Sequence, residues 1–216
     1  MSRLIAFGSS PIIYTHSADA KLKNLTYPAI IAQKLGKEYV AVARLWTANN
    51  KITRKVLSFD FAPNDFALIT WSTTARVEFR SEHGWFVANR DDFKPNTFEE
   101  AWYQGPGKWE YTSILSVLKE MLLTQTFLKS KGIPYLFLFD NSEYFQSYLT
   151  AFPDQHMASM NTMLDHTQIL SFENNTGFLD WCQKNNYPFA PPESRGYPIQ
   201  TAHQRAAEYI LEKFQF

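Results

Sequence analysis

The segment IAFGSS, residues 5–10, runs from apolar residues into a glycine and then two hydroxyl residues, Ser9 and Ser10. A strand that stops at such a turn is one way to present a serine for attack on an acyl carbon. That chemistry needs a base to take the hydroxyl proton, a group to orient the base, and donors for the developing oxyanion. Five histidines are available, at positions 16, 83, 156, 166 and 203. His203 stands near the start of the last amphipathic segment. It reads either as a base or as a helix histidine packed against the neighbouring loop. His16 lies in the loop after Ser10, while His83, His156 and His166 show no partner spacing. Arg76 and Glu78, after WSTTA, read either as binders of a polar substrate or as an ion pair that pins the loop. Asp91, Asp92, Glu99 and Glu100 read as solvated loop charges rather than as a glycosidase acid pair. No pair of histidines or carboxylates has helical ligand spacing, so no metal is expected. GSSPIIY lacks the glycine spacing that cradles a phosphate, and no cofactor is expected.

These residues must be positioned by regular elements, and the apolar pattern supplies them. RLIAFG is a short β-prone run that ends at Gly8. NLTYPAIIAQKLG has helical spacing, with Pro28 in its first turn and Gly36 as its cap. EYVAVA is a second strand. TANNKITRKVLSF is helical, opened by an Asn or Thr cap. DFALITW is a third strand, apolar throughout, as a parallel strand covered on both faces is. Residues 80–108 show no clean period and read as a long irregular insertion, suited to a lid, a binding wall or a partner contact. Trp85, Phe86, Trp102, Tyr103 and Trp109 in and beside it suit packing or stacking on sugar rings. A long helix then runs to Gly132, and IPYLFLFD is a fourth strand. NSEYFQSYL and GFLDWCQKNN are expected helices, residues 187–198 a proline-rich loop, and IQTAHQRAAEYILEKF the terminal helix.

Strand and helix alternate four times, which predicts a mainly parallel, flavodoxin-like sheet in a three-layer α/β/α sandwich. Ligands of such folds bind at the carboxyl ends of the strands. Ser9, Ser10, Arg44–Asn50, Trp71–Arg76 and Asp140–Asn141 all fall on that edge. The 216 residues suit a single domain. With 21 basic and 21 acidic residues the formal charge is zero, which argues against nucleic acid and anionic membranes as partners. No segment reaches bilayer length, and the N-terminus has too short an apolar run for a signal peptide, so a soluble protein made in the cytoplasm is expected. The lone cysteine, Cys182, excludes a disulfide framework and reads as a buried thiol.

In order and spacing, FGSS, YPAIIAQKLGKEYVAVAR, ANNKI, LITWSTTARVEF, FLKSKGIPYLFLFD and YPIQTAHQRAAEYI resemble the SGNH (GDSL-type) hydrolases over nearly the whole chain. Members of that family cleave acyl esters, including acetyl groups on carbohydrates. The resemblance is to its divergent branch in environmental bacteria and their phages. It implies that Ser10 is the nucleophile position and that Ser9 borders the pocket. The oxyanion-hole glycine of the second block falls on Trp46. Where the third block has an oxyanion-hole asparagine, TWSTTAR offers Thr73 or Thr74; Asn49 and Asn50 lie in the second block. The family's acid and histidine fall on Ser194 and Tyr197. A tyrosine ionises only near pH ~10 and is no base near neutrality. The resemblance therefore implies a fold kept while its Ser-His-Asp chemistry is lost. Such a protein would bind or assemble, with protein or carbohydrate partners, for instance as a component of a phage particle. The alternative is a serine esterase or carbohydrate O-deacetylase using Ser10 with a non-standard base such as His203.

Overall fold

The computed structural model describes residues 2–9, 25–43, 47–74, 76–81, 84–89, 108–141, 154–189 and 198–216. Four strands form a parallel sheet: β1 (Arg3–Phe7), β2 (Glu38–Ala41), β3 (Phe66–Trp71) and a fourth at Tyr135–Phe139. Between the last two lies an antiparallel pair, β4 (Arg76–Ser81) and β5 (Gly84–Asn89), so the fourth sheet strand is β6. The order across the sheet is β2-β1-β3-β6. The chain thus leaves β1 toward one side and returns from β2 to the other, which opens a crevice at the carboxyl ends. Beyond β6, Ile169 bridges Phe137 in parallel and the Leu170 amide donates to the Phe137 carbonyl, covering part of that edge.

Strands β1, β3 and β6 send apolar side chains to both faces because both faces are covered. Ile5, Phe7, Ala67, Ile69, Trp71, Phe137 and Phe139 enter one core; Leu4, Ala6, Phe66, Leu68, Leu136 and Leu138 enter the other. The period-2 division follows from the pleat. Helices α1 (Tyr27–Lys34), α5 (Phe178–Lys184) and α6 (Gln200–Lys213) cover the second core. Helices α2 (Asn49–Leu57), α3 (Lys108–Ser130) and α4 (Gln155–Thr162) cover the first. The expected three-layer arrangement with helices on both faces is therefore present. Gly36 and Gly132 follow α1 and α3 with φ of 63° and 65°, the left-handed conformation that suits glycine at a helix end.

Two local readings are corrected. The expected Asn or Thr cap of α2 is instead Ala48, whose extended backbone starts the helix with no side-chain cap. The neighbouring asparagines are used elsewhere: Asn49 bonds the end of β3 and Asn50 bonds β4. The region read as irregular from residue 80 begins inside a hairpin, since β4 and β5 pair from Arg76↔Asn89 to Ser81↔Gly84. Arg76, Val77, Glu78, Phe79 and Arg80 do alternate polar and apolar, but over too few residues to stand out. The expected helix at NSEYFQSYL, the rest of the 80–108 insertion and most of the proline-rich loop lie outside the described residues. Among the described residues, no helix is long and apolar enough to cross a membrane.

Candidate functional site

The carboxyl ends of β1, β3 and β6 and the start of α2 bring Ser9, Ser72, Thr73, Asp140, Asn141 and Asn49 to one edge. Each strand ends in a polar residue after its apolar run, so the sheet presents backbone ends and polar side chains there. Ser9 is 1% exposed and Asp140 3%. The Ser9 hydroxyl donates to Oδ2 of Asp140. β1 and β6 both pair with β3 and not with each other, so this bond spans the end of β3.

The backbone around Asp140 is held firmly. Its amide donates to the Trp71 carbonyl at 2.9 Å, and its carbonyl accepts from the Leu179 amide at 3.0 Å. Gly177, just before α5, packs against the same peptide: a Cβ there would overlap the Asp140 carbonyl and the Asn141 nitrogen. Glycine is required by this close approach. The carboxyl is less well provided for. Oδ1 of Asp140 and Oδ1 of Asn141 are buried with no hydrogen-bond partner among the described residues. Burial pushes the Asp140 carboxyl up to about 7; the Ser9 hydrogen bond and the Arg76 charge oppose this, and the Asp180 charge adds to it.

Asn49, 4% exposed, fixes the end of β3. Its Oδ1 accepts from the Ser72 amide at 2.8 Å, and its Nδ2 donates to the Ser72 and Thr73 carbonyls at 3.1 and 3.4 Å. Both amide protons thus serve the loop and are not turned toward the crevice. Thr73 is half-buried. Arg76 Nη1 donates to the Ser72 hydroxyl at 3.1 Å. The ion pair that pins this region runs to α2, not to Arg76. Glu78, with its side chain 1% exposed, takes both Arg54 Nη2 contacts at 2.9 and 3.0 Å and faces Lys51 at 3.6 Å.

His203 occupies the core of the α1/α6 layer, 1% exposed. Tyr27 and Phe178 flank its ring, with centroids 5.9 and 5.0 Å away. Nδ1 accepts the Tyr27 amide at 3.3 Å, while the Pro198 backbone carbonyl accepts from the ring. Tyr27 is the first residue of α1, whose amide has no partner within the helix. The preceding Thr26 makes no side-chain cap, so His203 caps α1 from another helix. Burial drives its pKa down to about 3, against the Pro198 hydrogen bond. The ring is neutral, with both nitrogens engaged.

Ser10, Trp46, Ser194 and Tyr197, with His16 and His83, lie outside the described residues. His156 and His166 are exposed on α4 and on the turn after it. Cys182 is buried, and burial raises its thiol pKa far above the ordinary value. Among the described residues, no group of three His, Cys, Asp or Glu side chains is placed to hold a metal ion. Sequence reasoning put Asp140 on the edge without a chemical role. A contact between residues 131 positions apart leaves no trace in spacing, and only the strand order brings them together.

No protein-family model matches the sequence, and no curated protein matches it. Solved structures do match along the entire chain. A member of the lipolytic protein G-D-S-L family from Veillonella parvula DSM 2008 aligns with TM-score 0.50 and 11% identity over 99% of this chain and 98% of that one. The acetyl xylan esterase AlAXEase aligns with TM-score 0.52 and 12% identity over all of both chains. A carbohydrate esterase, described as having an active site with divergent catalytic and non-catalytic binding functions, aligns with TM-score 0.52 and 10% identity over 97% of this chain and 67% of that one. At these identities the likeness establishes the fold. The chain has the α/β/α fold of the SGNH (GDSL-type) hydrolases.

Proposed function

We propose that this chain keeps the SGNH-hydrolase fold as a binding or assembly protein and has lost the Ser-His-Asp chemistry. One observation carries the reading: His203, the histidine of the last helix, is sealed between Tyr27 and Phe178 and spends both ring nitrogens on backbone groups. To act as a base it would have to leave that stack and uncap α1. The acid and histidine positions of the family fall on Ser194 and Tyr197, which supports the same reading. Without a base, residual rates near ~10³–10⁴ over water are the most that an oxyanion hole and binding sustain. Asn49 has its amide protons engaged at the end of β3, which weakens the hole as well.

The carbohydrate esterase with a non-catalytic binding function supports carbohydrate as a ligand class for the crevice. The resemblance to phage-borne relatives supports a place in a virus particle. The test is hydrolysis of a small aryl acetate at high protein concentration by wild type and Ser10→Ala. The reading predicts equal, background rates for the two. A wild-type rate at least ~100-fold above Ser10→Ala would overturn it in favour of a serine esterase.

A further inference from the structure

A recess of about 320 Å³ opens at the other end of the sheet from the crevice, where α2 and α3 both end and a loop leads into β3. Three half-buried rings, Phe59, Phe61 and Phe127, line it together with the exposed Leu57; the exposed Ser58, Asp60 and Lys131 complete the wall. We propose that this recess binds a free apolar α-amino acid. The ligand ammonium faces Asp60, its carboxylate faces Lys131, and its side chain rests on the phenylalanines. The inference does not depend on the reading of the crevice.

The wall is built before any ligand arrives. The Phe59 amide donates to the Val56 carbonyl at 3.1 Å, and Arg3, at the start of β1, donates through Nη2 to the Asp60 carbonyl at 3.1 Å. The Arg3 guanidinium also lies over the Phe59 ring, 5.5 Å from its centroid. Phe59 and Phe61 meet edge to face with centroids 4.9 Å apart, and Phe61 and Phe127 lie at 6.4 Å. On the other side, the Lys131 amide donates to the Phe127 carbonyl at 3.1 Å, which fixes the backbone at the end of α3.

The charges select the ligand. Arg3 spends its own on Asp65, with Nε 2.9 Å from Oδ1. Among the described residues Asp60 and Lys131 make no ion pair, with each other or elsewhere. One free carboxylate and one free ammonium beside a shared apolar floor are the complement of a zwitterion with an apolar side chain. A neutral ligand leaves both charges unused, and a simple amine or acid leaves one. The volume lies at the small end of the range for ligand pockets, about 300–1,000 Å³, which suits a single amino acid rather than a peptide.

Titration of the isotopically labelled full chain with L-phenylalanine, to about 50 mM, tests this through the amide chemical shifts. Saturable shifts are expected at residues 58–61 and 131–132, and none at Ser9, Asn49 or Asp140. Phenethylamine and hydrocinnamate each lack one of the two charges. Because Asp60 and Lys131 are exposed, each should bind only about threefold to tenfold more weakly than phenylalanine. Asp60→Asn should weaken phenylalanine and the amine to that extent and leave the acid unchanged. Lys131→Gln should weaken phenylalanine and the acid and leave the amine unchanged. No saturable shift in those two segments overturns the proposal, and so does phenylalanine binding no tighter than the amine or the acid. The three-ligand comparison is made on the wild type, so it decides the matter even if a variant fails to fold.

Discussion

Replacing His203 by glutamine tests the role of the one histidine that the last helix supplies. In the folded chain the ring is neutral, with a pKa near 3 against 6.5 for a free imidazole. A group whose folded pKa is depressed binds fewer protons than the unfolded chain throughout the interval between the two values. Its contribution is therefore complete above pH ~6.5 and is lost as pH falls toward 3. Each tenfold change in proton affinity is worth about 1.4 kcal/mol, so the whole interval is on the order of 5 kcal/mol. Roughly 2–3 kcal/mol of it falls between pH 7 and pH 4.5. Glutamine keeps a polar group near the Tyr27 amide but does not titrate. At pH 7 His203→Gln should be the less stable protein, by about 1–3 kcal/mol, for lost packing and an imperfect cap. Urea unfolding at pH 7 and 4.5 should show this deficit shrinking by about 2–3 kcal/mol on acidification. Carboxylates common to both proteins cancel in the difference. A deficit independent of pH would refute the reasoning, as would an imidazole resonance of His203 titrating near pH 6.5.

Asp140 carries the opposite sign: its raised pKa gives stability below pH ~4 that is lost as pH climbs to about 7. Asp140→Asn should thus exceed wild type in urea unfolding at pH 8, by up to about 4 kcal/mol, and match it near pH 4. Gly177→Ala forces a methyl into the Asp140–Asn141 peptide; thermal melts should show a loss of roughly 1–3 kcal/mol. Glu78→Gln removes the charge shared by Arg54 and Lys51 and should cost about 1–3 kcal/mol. Salt should narrow the gap, because Arg54 is 39% exposed.

The sheet was legible because YLFLF is apolar at every position and FALITW at all but Thr70, and both are bounded by turn residues, while Gly36 and Gly132 mark helix ends chemically. The edge residues followed from the alternation of strands and helices. What the sequence hid was contact over distance. Nothing near His203 indicates that its ring meets the first amide of α1, 176 residues earlier, and an amphipathic helix permits either a core or a crevice histidine. Asn49 and Asn50 looked like caps because asparagine favours that role; here Ala48 starts the helix and the amides stitch α2 to β3 and β4. Glu78 was read beside Arg76 because the two are close in sequence, yet strand neighbours but one share a face without necessarily pairing. Arg54 on α2 reaches Glu78 instead.

The proposed loss of the Ser-His-Asp chemistry requires that Ser10 is not activated. Intact-mass analysis after incubation with excess fluorophosphonate measures this directly, because the reagent labels a serine only when a base raises its nucleophilicity. Wild type should stay unmodified, as should Ser10→Ala. Stoichiometric labelling of the wild type, absent from Ser10→Ala, would contradict the account.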